Sequence, residues 1–265
     1  LVSFSPQTLN AGQSSTMTIT TSPSTPTGTF PITVTGTGTS ATHATSFSLT
    51  VAAVTALPHL VQSASGTETA AATSLAGSFP SATTAGDLLV LSISEYTGAT
   101  NHVTSVTDNA GNAWVRGTGY FVAGHNSEGE MWYVANASPV TTVTVHTSSA
   151  ASIAFEVQEF AGVATTSPLD AATGTSNTGT AANSGTANSS VANELVVGFV
   201  AGHNNAQAIS VTSPGYTTQS QQTTTGTIAT VITGYQVATT SGAQTFAGSF
   251  GTAMYWAAGV AIFKP

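Results

Sequence analysis

Ile153-Ala-Phe-Glu-Val-Gln-Glu-Phe160 lines up with Trp256-Ala-Ala-Gly-Val-Ala-Ile-Phe263. Other phrases repeat around this pair. Ala85-Gly-Asp-Leu-Leu-Val90 matches Ala192-Asn-Glu-Leu-Val-Val197, Val103-Thr-Ser-Val-Thr107 matches Ile209-Ser-Val-Thr212, and Tyr133-Val-Ala135 echoes Gln236-Val-Ala238 at the same offset as the opening pair. Residues 60–265 therefore read as a duplicated domain, with related halves at about 60–163 and 191–265. Each half supplies about four strands, and two such halves suit a jelly-roll-like β-sandwich, in which two sheets close over one core.

Helix signals are nearly absent outward from this repeat. Thr, Val and Ser dominate, with Gly and Pro as punctuation, which is the vocabulary of strands and turns. Only the Ala-rich stretch Thr67–Leu75 reads as a possible helical turn. Residues 1–54 alternate with period 2 through Met17 and Ile19, through Phe30, Ile32 and Val34, and through Phe47–Val51, so each strand has one buried and one wet face. Residues 55–59 read as a linker, and 164–193, rich in Thr, Ser, Asn and Gly, as a surface loop or weak edge strands. The fold class expected is all-β: a partial Ig-like β-sandwich, then a jelly-roll-like β-sandwich with internal duplication.

Two resemblances support this division. Phe4-Ser-Pro6, Ser14-Ser-Thr-Met-Thr-Ile-Thr20, Thr27-Gly-Thr-Phe-Pro-Ile-Thr-Val-Thr-Gly36 and Ser46-Phe-Ser-Leu-Thr-Val51 resemble the C-terminal part of the Ig-like repeats of bacterial secreted proteins. A complete Ig-like sandwich has about seven strands, so the resemblance implies that about three N-terminal strands are missing. The longer domain, through Val106-Thr-Asp-Asn-Ala-Gly-Asn112, resembles the concanavalin A-like jelly-roll modules of bacterial surface and secreted proteins. That resemblance implies carbohydrate binding in some members and glycoside hydrolysis in a few.

Composition narrows the function. Charged residues make up 5% of the 265 positions, Lys and Arg total 2 (Arg116 and Lys264), and the net charge is −8. Two basic residues cannot displace counterions from phosphates or bind an anionic membrane surface, so nucleic-acid binding is excluded. No apolar run reaches the roughly 20 residues of a membrane-spanning helix, so no membrane insertion is expected. A surface built from Thr, Ser, Asn and Gln offers trypsin-like proteases almost nothing, which suits a secreted or cell-surface protein. The absence of Cys excludes disulfides and thiolate sites. With neither a signal peptide nor an initiator Met, the sequence reads as a processed product.

Several residues carry possible chemistry. Glu128 and Glu130 flank Gly129 ahead of Trp132 and Tyr133; on a strand they share one face, as a glycosidase pair requires. The third acid of an E-x-D-x-x-E pattern is missing, because Val134 and Ala135 follow. Solvated carboxylates at a loop edge are the plainer reading. Glu156 and Glu159 point to opposite faces, one expected exposed and the other at a strand end. Trp114, Trp132 and Tyr133 are the candidates for stacking on a sugar, unless they pack in a core. Phe-Val-Ala-Gly-His-Asn occurs at Phe121–Asn126 and Phe199–Asn204; with too few ligands for zinc, the repeats read as solvated strand exits. Asp108-Asn-Ala-Gly-Asn112 is either a hairpin turn or a Ca²⁺ loop, the turn being favoured. Lys264, the only lysine, sits at the far end, which argues against the Lys–Asn crosslinks of bacterial surface stalks. No catalytic motif, metal site or cofactor is expected, and the chain does not read as an enzyme. The expected function is an extracellular structural or adhesive protein, a filament or surface-layer subunit whose incomplete first domain is completed by strands from copies of itself. The alternative is a carbohydrate-binding module with a polysaccharide partner, and a weaker third is a glycosidase using Glu128 and Glu130.

Overall fold

The computed structural model describes residues 1–22, 25–51, 56–68, 72–96, 103–122, 125, 127–203, 207–226 and 228–265. The chain is all-β, and no helix occurs among the described residues. It divides into two compact units, Leu1–Thr55 and Ala56–Pro265.

The first unit consists of two hairpins. β1 (Val2–Ser5) pairs with β2 (Thr16–Ile19), and β3 (Gly28–Thr37) with β4 (Thr42–Val51). Cross-strand partners Val2↔Ile19 and Phe4↔Met17 put the apolar residues of the first hairpin on one face; Phe30↔Leu49 and Ile32↔Phe47 do the same in the second. The alternation of apolar with Thr and Ser positions therefore holds, but the expected buried face does not: none of these strands has a buried residue, because two short hairpins cannot cover their own apolar side. The two apolar faces meet over a cavity of about 440 Å³ lined by Leu1, Ile19, Phe30, Ile32, Leu49 and Val51.

In the second unit β5 (His59–Thr67), β7 (Leu88–Tyr96), β9 (Val115–Val122), β10 (Ser127–Val134) and β11 (Thr142–Ala161) form a layer in the order β5-β11-β7-β10-β9. β11 is long enough to leave it. Its residues Thr142–Thr147 pair instead with β6 (Ala72–Ser78) and β8 (Val103–Asp108), which make an outer layer. The second half repeats the plan. β12 (Leu169–Asn183), β14 (Glu194–His203), β16 (Thr217–Thr218), β18 (Ala229–Ala238) and β20 (Ala247–Phe263) follow the order β12-β20-β14-β18-β16. β15 (Ser210–Val211) pairs with the start of β20 as β8 does with that of β11, and the single strand β12 does the work of β5 and β6. β17 (Gln222–Thr223) also pairs with β18, while β13 (Ala187–Ser189) pairs with β19 (Gly242–Gln244).

Register makes the duplication residue-specific. Phe160 faces Leu88 and Phe263 faces Leu195; Ile153 faces Glu95 and Trp256 faces Gly202. One phrase needs correction. Tyr133 pairs with Val90, and the residue paired with the equivalent Val197 is Tyr235, not Gln236. A slip of one residue would have turned every side chain of the strand to the opposite face.

The halves do not close over one shared core. Leu89, Leu91 and Ile93 alternate into a first core with Val103, Val106, Val143 and Val145. Val196 and Val200 join Phe246, Phe250, Met254 and Ile262 in a second. A third core lies between the two inner layers, where Leu88, Val90, Met131 and Phe160 meet Leu195, Val197, Phe199 and Phe263. Equivalent contacts recur across it: Tyr133 meets Phe263 edge-on with ring centroids 5.4 Å apart, and Tyr235 meets Phe160 likewise at 5.3 Å. The inner layers are thus covered on both sides, which explains why β7 and β14 are buried along almost their whole length rather than at alternate residues.

Two local expectations fall differently. Ala72–Leu75 is extended within β6, because Leu75 packs on the first core; the rest of the suggested helical turn at 69–71 lies outside the described residues. The 164–193 stretch is largely the edge strand β12.

Phe199 is fully buried in the central core. Phe199→Ala is expected to cost about 3–5 kcal/mol, measured by guanidinium denaturation of the full chain. Phe4→Ala, on the half-open first unit, is expected to change the same transition by under about 0.5 kcal/mol. Equal effects would show that the central core does not hold the second unit together.

Candidate functional site

β10 carries Glu128 and Glu130 two positions apart, so both point into the first core beside Trp132, as their spacing implies. The solvated reading fails. Both carboxyls are buried, because the outer layer covers this face of β10. Arg116, across the sheet on β9, donates from one Nη2 to Glu128 Oε1 at 2.8 Å and to Glu130 Oε1 at 2.7 Å. The Trp132 indole N–H donates to Glu130 Oε2 at 2.5 Å.

A third acid completes the group. Glu95 of β7 is directly opposite Glu128, is fully buried, and has no hydrogen-bond partner for either oxygen among the described residues. Burial, reinforced by the charges of Glu128 and Glu130, pushes Glu95 up to about 9. Burial followed by the hydrogen bond and charge of Glu128 pushes Glu130 up to about 8, against the pull of Arg116. Burial raises Glu128 as well. At neutral pH burial therefore favours the protonated forms of Glu95 and Glu130, and Arg116 supplies the one positive charge beside Glu128 and Glu130.

The duplication supplies an internal control. In the second half the positions of Glu95, Glu128, Glu130 and Arg116 hold Gly202, Thr230, Ile232 and Thr218. A sandwich of this plan therefore closes without any charge there. The sequence reading had the acidic pair and its shared face but passed over Glu95 and the pairing role of Arg116. Both had a signal: Glu95 is the one charged residue in the apolar run 88–96, and Arg116 is the only arginine.

The aromatic candidates divide between the two faces of the first half's inner layer. Trp114 and Trp132 are half-buried against the first core, while Tyr133 faces the central core on the opposite side of β10. Tyr133 therefore does not share a face with the two tryptophans. The Trp114 N–H donates to Asp108 Oδ2 at 2.8 Å. Asp108 also accepts from the Ala110 and Asn112 amides at 2.9 and 3.1 Å and from Asn112 Nδ2 at 3.0 Å. Burial raises its pKa, but these donors together outweigh burial and hold it below the usual value. With four donors on two oxygens, Asp108 organises a turn and has nothing left for Ca²⁺.

Glu156 and Glu159 correct another expectation, since both are buried. Glu156 faces the second half and accepts from Gln222 at 3.1 Å, whereas Glu159 accepts from Gln62 and from the Thr84 amide at 2.7 and 2.5 Å. Burial lifts Glu156 to about 7. His203 is not solvated but fully buried, donating from Nε2 to the Glu128 carbonyl at 3.0 Å, and burial pulls it down to about 4. His125 stacks on Tyr255, the cross-strand neighbour of His203, with centroids 3.6 Å apart. Residues 123, 124, 126 and 204 of the repeated hexapeptides lie outside the described residues. Among the described residues no group of three potential ligands is placed to hold a metal ion.

Comparison with known proteins gives no match to a family model, a curated protein or a solved structure.

The pH dependence follows from the buried acids. Glu95 and Glu130 hold their protons more tightly in the native than in the unfolded chain. Their stabilising contribution is therefore full below about pH 4.5 and is lost as pH rises towards about 9 and about 8. Neutral His203 acts in the opposite direction, losing stability as pH falls from 6.5 towards about 4. Tm is expected to be higher near pH 5 than near pH 8, and Glu95→Gln should flatten the fall. A flat Tm across that range would overturn the assignment. In the same assay, millimolar Ca²⁺ is expected to leave Tm unchanged while Asp108→Asn lowers it; a Ca²⁺-dependent rise would show that the turn binds the ion.

Proposed function

We propose that this chain is an extracellular structural or adhesive protein that assembles with copies of itself through its first unit. The observation that carries the reading is that no described residue of that unit is buried. Phe30 and Phe47, on its apolar face, keep 37% and 40% of their surface exposed, and Phe4 and Leu9 are similarly open. Two hairpins give two strands per layer, less than a sandwich needs, and an isolated hairpin is marginal in water.

Added strands from another molecule would cover these faces and pair the free edges, which is recognition by β-augmentation. A second copy fits best on charge. Residues 1–55 contain no Asp, Glu, Lys or Arg, so two first units meet without repulsion or ion desolvation. Natural edge strands are usually guarded by such charges. Where one unit's free edge enters the open apolar face of the next, the contact is head-to-tail and propagates into an open filament; where the same faces meet, it closes as a discrete oligomer. The resemblance to Ig-like repeats and the protease-poor surface favour a secreted or cell-surface setting. The carbohydrate alternative would have to use the half-buried Trp114 and Trp132 without Tyr133, which faces the central core, and a glycosidase would need the buried Glu128 and Glu130 to reach a substrate.

Electron microscopy and sedimentation of the full chain at neutral pH test the reading. Filaments or discrete oligomers are expected, with Phe30→Lys/Phe47→Lys giving particles near 26.3 kDa and an unchanged melting transition for the second unit. Wild-type protein that stays monomeric at high concentration would rule the assembly out.

A further inference from the structure

Lys264, the chain's only lysine, directly follows β20. Its backbone is held on both sides: its amide donates to the Pro168 carbonyl at 2.8 Å, and its carbonyl accepts from the Ala164 amide at 3.0 Å. From this fixed base Nζ reaches to 3.4 Å from Oδ1 of Asp170, near the start of β12. Oδ2 of Asp170 accepts from the Ser190 amide at 2.9 Å, so the carboxyl group is held as well.

Behind this pair stands Glu194, the first residue of β14. It is fully buried, and it lies beside Asp170 because the two carboxyls take the successive amides of Val191 and Ser190. Its Oε2 accepts weakly from the Val191 amide at 3.4 Å, and its Oε1 has no hydrogen-bond partner among the described residues. Burial and the charge of Asp170 raise its pKa, favouring the protonated form. An ordinary surface ion pair contributes little and requires no buried acid at its back.

The first half again provides the comparison. There the positions of Asp170 and Lys264 are taken by Val61 and Ala161, and only Asp87 stands for Glu194. The amine and its acceptor are thus specific to the second half, added at the point where its first and last strands lie side by side.

We propose that Lys264 and Asp170 join in an intramolecular amide crosslink, with Glu194 as the acid that promotes it. A proton passes from the Lys264 ammonium to the Asp170 carboxylate, and the free amine adds to Asp170 Cγ. Glu194 protonates the departing oxygen and recovers a proton from the new C–N nitrogen. One C–N bond forms, one C–O bond breaks, one water leaves, and Glu194 ends unchanged. No oxidant, reductant or cofactor takes part. The carboxyl side is sheltered, with the Asp170 side chain 11% exposed, while the Lys264 side chain is 44% exposed and gives the water a way out. Holding both groups in contact supplies the effective concentration that a free amine and carboxyl lack, on the order of 10⁵ M or more for well-oriented pairs. The sequence position that argued against a crosslink is no obstacle, because pairing of β12 with β20 carries Lys264 to Asp170. The bond would enclose the whole second half in one covalent loop.

Intact-mass spectrometry of the denatured full chain decides the matter. The expected mass is lower than the sequence mass by one water, with a branched peptide joining residues 170 and 264 after peptic digestion. Lys264→Arg and Glu194→Gln are each expected to restore the full mass. Wild-type protein at its sequence mass, after prolonged incubation of the folded chain, overturns the proposal. So does a water loss that persists in Lys264→Arg, because it must arise elsewhere. The lysine variant changes a half-exposed side chain, so the test stands even where Glu194→Gln impairs folding.

Discussion

Packing of the β5-β11-β7-β10-β9 layer against the β12-β20-β14-β18 layer leaves the central strands no wet side. Three cores stacked in series then need apolar or small residues on both faces of β7, β11, β14 and β20. Close approach is part of the same requirement. The Phe199 ring lies across Gly129 and Gly259, where an added Cβ would come within 2.9 and 2.5 Å of it. Any side chain at either glycine would push the two layers apart and reopen the cavity that Phe199 fills. The scarcity of charge in the chain is therefore partly architectural, since an ion placed on an inner strand has no water to turn to.

The acids that do sit there show how the constraint is met. Glu95, Glu130 and Glu156 are all driven by burial towards the protonated form, and His203 towards the neutral one. Arg116 bonds Glu128 and Glu130 with one charge between them and leaves Glu95 unanswered. A buried, unpaired Glu95 is a standing cost, and the second half shows that the plan closes without it by using Gly202, with Met254 packed close beside that glycine. The charged cluster is thus a departure from a shared scaffold, made in one copy only.

How much of this was readable follows the range of each interaction. Alternation at Phe30, Ile32 and Val34 is local, and it gave the strands of the first unit directly. Repetition of whole phrases gave the duplication, because Leu88/Leu195 and Phe160/Phe263 survive in both copies. Faces were legible and depth was not: the spacing of Glu128 and Glu130 puts them together, but nothing near them in sequence shows that an outer layer covers that face. The slip at Tyr133 has the same origin, since Val-Ala follows in both phrases and only pairing with Val90 and Val197 fixes the register. Contacts such as Arg116 with Glu128 and Lys264 with Asp170 depend on which strands become neighbours, a property of topology that no spacing records.

The two units stand at opposite ends of one physical scale. Residues 56–265 bury three cores, whereas the described part of residues 1–55 buries no residue while presenting Phe4, Leu9, Phe30 and Phe47 to solvent. Small domains are marginal even when well packed, and those that cannot close a core rely on disulfides, metals or association. Cysteine is absent from the chain, and no metal cluster occurs among the described residues. Strands added by association are the route proposed above, and residues 1–55 carry no Asp, Glu, Lys or Arg that would set identical molecules against each other.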